Sequence, residues 1–167
     1  MVTSGSGMGK SKFLREITWQ ILTKTDDNIG LMFLEEDMEK TAKGIMSLAV
    51  NKPLHLPDTV YTPEEYKDAF EQTMGTGRVY LFDHFGSSGI DNIVSRVRYL
   101  ARGCGCGFVL LDHISIVVSN QENGDERKAL DEIMTKLRTV VQETGIGLIC
   151  VSHLKRPEGK GHEEGAA

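Results

Sequence analysis

Little in this chain suits a membrane, an oxidising compartment or the surface of duplex DNA. Its longest apolar stretches, 108–111 and 114–118, are strand-sized, far below the roughly 20 residues that a bilayer-crossing helix needs. No basic-then-apolar leader precedes the first motif, which argues against export. Three cysteines (Cys104, Cys106, Cys150) are too few and too odd in number for a disulfide framework, so a reducing cytosol is the simpler setting. Cys104 and Cys106 also lack the second ligand pair that zinc requires and are read as a turn and a strand entry. With 19 Lys and Arg against 24 Asp and Glu, the net charge of −5 is unlike that of a dedicated duplex-DNA binder, because such proteins gain affinity by neutralising phosphates. It still permits an assembly that gathers a few lysines at a central channel. Trp19 has no aromatic neighbours that would form a base-stacking platform. No linker, repeat or low-complexity tract interrupts the 167 residues, a length that fits one domain with a real core.

Apolar spacing alternates between two periods along the chain. Residues 1–3 read as the end of a strand, and 4–9 as a loop. A helix over 10–24 follows, with Phe13, Ile17, Ile21 and neighbouring apolar residues at helical spacing. Strands are expected at 29–34, 79–82, 108–112 (with a tail continuing through 114–118) and 146–152. Helices are expected at 37–50, 62–73, 91–102 and 125–144. Thr62-Pro63-Glu64-Glu65 combines a capping box with proline at the first helical position, and Gly103 is read as a helix stop. Met32, Met38, Met46 and Met134 are read as core or core-edge residues. The alternation predicts crossover units and an α/β architecture: three layers, with a mainly parallel central sheet flanked by helices. Ligands of such sheets sit at the carboxyl ends of the strands. Four strand ends here carry chemistry: Ser4 to Ser11, Glu35 and Glu36, Asp112 and His113, Ser152 and His153.

Ser4-Gly5-Ser6-Gly7-Met8-Gly9-Lys10-Ser11 has the form of a phosphate loop. Its glycines let successive backbone N–H groups turn towards phosphate oxygens, and the following helix offers its positive end to the same charge. Lys10 is expected to reach the β- and γ-phosphates and Ser11 to hold Mg²⁺. The usual pattern opens with glycine, where this chain has Ser4. Asp112 ends an apolar strand and is expected beside the metal. Hydrolysis also needs a carboxylate to polarise water. Glu35, nearest the strand end, suits that role, whereas Glu36 and Asp37 suit an acidic helix start. His153, at the last strand end, is placed to sense the γ-phosphate. Lys155, Arg156, Lys160 and His162 lie in a glycine-interrupted stretch that reads equally as a loop tracking single-stranded DNA or as a solvated surface.

Taken together, Val2 to Ser11, Leu34-Glu35-Glu36, the run from Leu111 to Ser119, Asp125 to Lys128, Met134 to Leu137, His153-Leu154-Lys155 and His162 to Gly165 resemble the helicase half of the phage primase-helicases. These are relatives of the DnaB-like hexameric replicative helicases. The resemblance covers essentially the whole chain, in order, and includes Ser4 at the head of the loop. It implies a RecA-like motor in a homo-oligomeric ring, a hexamer. That motor would hydrolyse a nucleoside triphosphate (ATP or dTTP) with Mg²⁺ to move 5′ to 3′ along single-stranded DNA. By the same resemblance, Glu35 activates water, and Lys10, Ser11 and Asp112 serve phosphates and metal. His153 couples phosphate state to a DNA-binding loop that begins near Lys155 and includes Lys160, with 158–167 as a flexible part of it. The strand bearing His153 would lie between the phosphate-loop strand and the Asp112 strand. An arginine finger supplied in trans, a fused primase and a replication polymerase are the implied partners, and the cytoplasm of an infected bacterium the implied setting.

The phosphate loop begins almost at Met1, with little room for a full first strand. The chain is therefore expected to be a partial motor domain, cut at both ends and turning over poorly alone. Two rival readings share the same residues: a RecA- or KaiC-like recombinase or signalling ATPase, and a nucleotide-binding assembly domain without turnover. A small-molecule kinase fits less well, since no lid segment or acceptor pocket is apparent.

Overall fold

The computed structural model describes residues 2–4, 9–83, 89–119 and 126–153. In chain order these form β1 (Val2–Ser4), α1 (Lys10–Lys24), β2 (Asn28–Phe33), α2 (Met38–Val50), α3 (Pro63–Gln72), a 3₁₀ turn (Met74–Thr76), β3 (Val79–Leu81), α4 (Ile90–Arg102), β4 (Cys106–Asp112), α5 (Ser115–Ser119), α6 (Glu126–Thr144) and β5 (Gly147–His153). The strands pair in parallel as one sheet in the order β1-β5-β4-β2-β3. The strand that ends in His153 thus lies between the first strand and the Asp112 strand, as the family resemblance implies.

Both faces of the sheet are covered, which is why its strands read as continuous apolar runs rather than alternating ones. Successive side chains of one strand point to opposite faces. Val109 and Leu111 of β4 join Met32, Cys150 and the α4 and α6 stripe of Ile93, Val97, Ile133, Leu137 and Val140. Leu110 joins Ile29, Leu31, Phe33 and Val151 against Leu14, Ile21 and Leu22 of α1 and Ile45 of α2. A smaller cluster of Met46, Leu54 and Ala69 seats α3 on α2. Helix α4 crosses β2 so closely that a Cβ on Gly30 would meet Leu100 at 2.8 Å.

Three expectations need correction. Residues 114–118 do not extend the β4 strand: the chain turns out of the sheet and Ser115–Ser119 is helical. Ile114 N–H bonds to the Val151 carbonyl at 2.9 Å, which carries the backbone over to β5 instead of onward along β4. The buried stripe of α1 also leaves out one expected member, Phe13, although Ile21 is buried and Ile17 packs against the core. Phe13 is 49% exposed, while Leu14, Arg15, Thr18, Ile21 and Leu22 are buried. Met38, at the start of α2, is exposed rather than part of the core. Gly103 does close α4, but with φ −83 and not in a left-handed conformation; a Cβ there would meet the Tyr99 carbonyl at 2.9 Å. Cys104 and Cys106 are the turn and strand entry expected, with the left-handed backbone falling on Gly105.

Candidate functional site

Parallel strands share a carboxyl edge, and the register fixes which ends are neighbours there. Ser4 pairs with His153 across β1 and β5. Phe33 pairs with Asp112 across β2 and β4. Beyond the last paired residues the ends remain tied: Leu34 N–H donates to the Asp112 carbonyl at 2.5 Å, and the Ser115 and Ser152 hydroxyls share a hydrogen bond of 3.2 Å. The carboxyl ends of β2, β4 and β5 are therefore tied into one connected rim.

Helix α1 opens on this rim. Gly9, at its N-cap, has φ 78, a left-handed conformation that glycine adopts without penalty. Among the described residues no side chain caps the helix, and its first turn holds no acidic residue. Lys10 is buried and Ser11 half-buried. The Ser11 hydroxyl donates to Asp112 Oδ2, so a helix start and a strand end 101 residues apart meet side chain to side chain. Asp112 is itself buried, and its peptide bond to His113 is cis.

Glu35 and Glu36 diverge. Glu36 is clamped by Arg15 of α1, whose guanidinium donates to both carboxylate oxygens at 2.6 and 2.7 Å, and it also accepts from the Thr41 hydroxyl at 3.1 Å. A Cβ on Gly44 would fall 2.4 Å from Arg15 Nε, so a side chain there would have to push the guanidinium from its place on Glu36. Close by, burial and then the Arg15 charge push the His55 imidazole below its ordinary pKa. Glu36 is thus a structural link between α1 and α2, not simply an acidic helix start. The capping role falls to Asp37, which accepts from Lys40 N–H at 2.7 Å. Glu35 stays 54% exposed on the rim, with Oε1 held 2.7 Å from Nε2 of the buried His113.

Of the residues predicted from sequence, Gly9, Lys10, Ser11, Glu35 and Asp112 come together at one edge, and the backbones of Ser4 and His153 lie at the same edge. Gly5, Ser6, Gly7, Met8, Lys155 and Lys160 lie outside the described residues. Sequence reasoning gave no role to His113 or Arg15. His113 was noticed only as the neighbour of Asp112, and its tie to Glu35 follows from the β2–β4 register. A separate open groove is lined by residues of α6 and β5, among them Met134, Leu137, Val141 and Cys150, and includes none of the predicted site residues.

The family model described as the DnaB-like helicase C terminal domain matches residues 1–164. A DNA helicase/primase of Enterobacteria phage T3 is 40% identical over 172 residues, covering all of this chain and 30% of that protein. Replicative DNA helicase DnaC of Bacillus subtilis is 24% identical over 160 residues, covering 93% of this chain and 35% of its own length. The chain thus spans about a third of the curated relatives it matches. Among solved structures, a DnaB-like replicative helicase described with its interactions with primase superposes with a TM-score of 0.73 at 18% identity, over 92% of this chain and 38% of that one. A KaiC-like protein from Pyrococcus horikoshii OT3 does so with a TM-score of 0.65 at 19% identity, over 91% and 59%. These two likenesses establish the RecA-like fold. From the family match and the phage relative, the chain belongs to the DnaB-like helicase C-terminal domains.

Proposed function

We propose that this chain is the nucleoside-triphosphate-hydrolysing motor domain of a ring-shaped replicative DNA helicase that moves 5′ to 3′ on single-stranded DNA during phage replication, in the cytoplasm of the infected cell. The observation that carries the proposal is the direct contact between Ser11 and Asp112, with Glu35 entering the same rim from the neighbouring strand.

The glycine-rich segment from Ser4 to Gly9 would wrap the phosphates with backbone N–H groups at the positive end of α1. Lys10 would pair with the β- and γ-phosphate oxygens. Ser11 and Asp112 fit magnesium, since a hydroxyl and a carboxylate already in contact are hard oxygen donors. Among the described residues no group of three or more His, Cys, Asp or Glu gathers as a metal cage, and magnesium shared with phosphates and water does not need one. When bound, that ion would offset phosphate charge. Glu35 would take a proton from the attacking water as its oxygen bonds the γ-phosphorus and the bond to the bridging oxygen breaks, releasing the diphosphate and inorganic phosphate. His153 would sense the γ-phosphate, and the segment with Lys155 and Lys160 would follow the DNA backbone. An arginine from the adjacent subunit of a hexamer would stabilise the transition-state charge, which makes turnover depend on assembly. A fused primase and a replication polymerase are further partners under this reading.

Phosphate release and forked-duplex unwinding by the full protein test the proposal. Lys10→Ala should abolish both, and Glu35→Gln should stop hydrolysis while nucleotide still binds. Hydrolysis without unwinding would favour a recombinase-like or KaiC-like ATPase. Nucleotide-dependent assembly without phosphate release would favour a binding domain.

A further inference from the structure

We infer that His113 is a positioning residue for Glu35, fixing the carboxylate that the hydrolase reading assigns to water activation; the inference rests on that reading. The two partners differ in freedom. Glu35 stands just beyond the end of β2, about half exposed, on a stem with several rotatable bonds. Alone, such a carboxylate would spread over many rotamers, and aligning it with one water would have an entropic cost at each turnover. His113 is only 7% exposed. Its backbone is held on both sides, by the Asp112 carbonyl accepting from Leu34 N–H and by Ile114 N–H donating to Val151. The ring is therefore a fixed post and the carboxylate the mobile arm.

The chemistry of the contact sets its direction. An ionised carboxylate only accepts, so Nε2 must carry the proton and donate to Oε1 at 2.7 Å. Holding Oε1 fixes the orientation of the carboxylate as a whole. The tie also links the base to the metal-side carboxylate through one peptide bond, since His113 directly follows Asp112. Metal-side and water-side carboxylates would then move as a unit. Glu36 cannot take over the role, because both of its oxygens are occupied by Arg15.

Steady-state nucleotide hydrolysis by the full protein on single-stranded DNA, with His113→Ala, His113→Gln and His113→Asn, tests the inference. His113→Ala should lower kcat about tenfold or more, part of the range a positioned general base supplies, with KM changed less than about twofold. His113→Gln, whose amide nitrogen can occupy the place of Nε2, should recover most of that loss, whereas His113→Asn, which is too short, should not. In a Glu35→Gln background His113→Ala should add nothing, because the group it positions no longer acts as a base. Equal failure of the Gln and Asn variants, or an undiminished loss in the Glu35→Gln background, would mark His113 as merely structural and overturn the inference. Normal turnover by His113→Ala beside an inactive Lys10→Ala would sink the inference and leave the hydrolase reading standing. No turnover by the unsubstituted protein, with nucleotide binding indifferent to Lys10→Ala, would sink both.

Discussion

The starts of α1 and α3 obey the same physics in opposite ways. Every helix leaves its first backbone N–H groups without partners inside the helix. Helix α3 satisfies them locally: the Thr62 hydroxyl accepts from Glu65 N–H, the Glu65 carboxylate accepts from Thr62 N–H, and Pro63 removes a donor outright. Two acidic residues then complement the helix dipole. Helix α1 has, among the described residues, neither a side-chain cap nor an acid in its first turn. Missing caps alone mean little, since α4 also begins on a glycine with no capping side chain. What separates α1 is the set of groups gathered at its start: a buried lysine and a serine bonded to the buried Asp112 at the end of β4. One helix start is closed by its own sequence, and the other, among the described residues, has no side-chain cap where it meets the carboxyl edge of the sheet.

The contrast is broken most severely at Lys10. Lys10→Ala should lower nucleotide hydrolysis by about a hundredfold or more, the scale for losing one group that stabilises developing charge, with little change in unfolding free energy. If turnover survived, the open helix start would not be a phosphate site. Next comes Glu36→Ala, at the link between the open helix and its neighbour α2. It would strand the Arg15 guanidinium, 7% exposed, without its carboxylate, and should cost about 3 kcal/mol in denaturant unfolding, as breaking a buried ion pair does. Glu35→Gln, one residue away, should leave stability within about 0.5 kcal/mol while stopping turnover. A reversal of those two phenotypes would exchange the roles assigned to the two glutamates. Smaller still, Thr62→Ala at the closed helix start should cost about 1 kcal/mol and leave turnover untouched.

The contrast between Glu35 and Glu36 also marks how far the residues could be read before the fold was known. The β/α alternation, the parallel sheet and the gathering of Lys10, Ser11, Glu35 and Asp112 at one edge follow from local signals. Strands buried on both faces are apolar throughout, helices repeat every 3.6 residues, and polar residues at strand ends stand out against both. Local signals failed where a long-range contact decided the outcome. Residues 114–118 are β-branched and apolar enough for a strand, but the bond from Ile114 to Val151 and the Ser115–Ser152 contact take the chain out of the sheet. Counting apolar residues placed Phe13 inside. The buried stripe of α1 instead includes Arg15, neutralised by Glu36, and Thr18, whose hydroxyl bonds back to the Leu14 carbonyl at 2.9 Å. Glu35 and His113 follow the ends of different strands, and only the register between β2 and β4 brings them together.

The smallest expected effect sharpens the comparison from the closed side. The hydrogen bond from Lys52, and after it the one from Thr62 N–H, hold the Glu65 carboxyl below its ordinary pKa. A carboxyl whose folded pKa is depressed adds stability above its unfolded value and loses it as pH falls through the folded value. The α3 cap should therefore hold at neutral pH and weaken only in acid, below the ordinary glutamate range of about 4.3. Glu65→Gln keeps an oxygen for Thr62 N–H but has no charge to lose, so the stability difference between the native chain and this variant should shrink on acidification from about pH 6 to about pH 3. The same difference should narrow in concentrated salt at neutral pH, because the Lys52–Glu65 pair is partly open to solvent. A difference that stayed constant over that pH range would mean that the cap acts through hydrogen-bond geometry alone. The two helix starts would then differ in their donors and acceptors and not in charge.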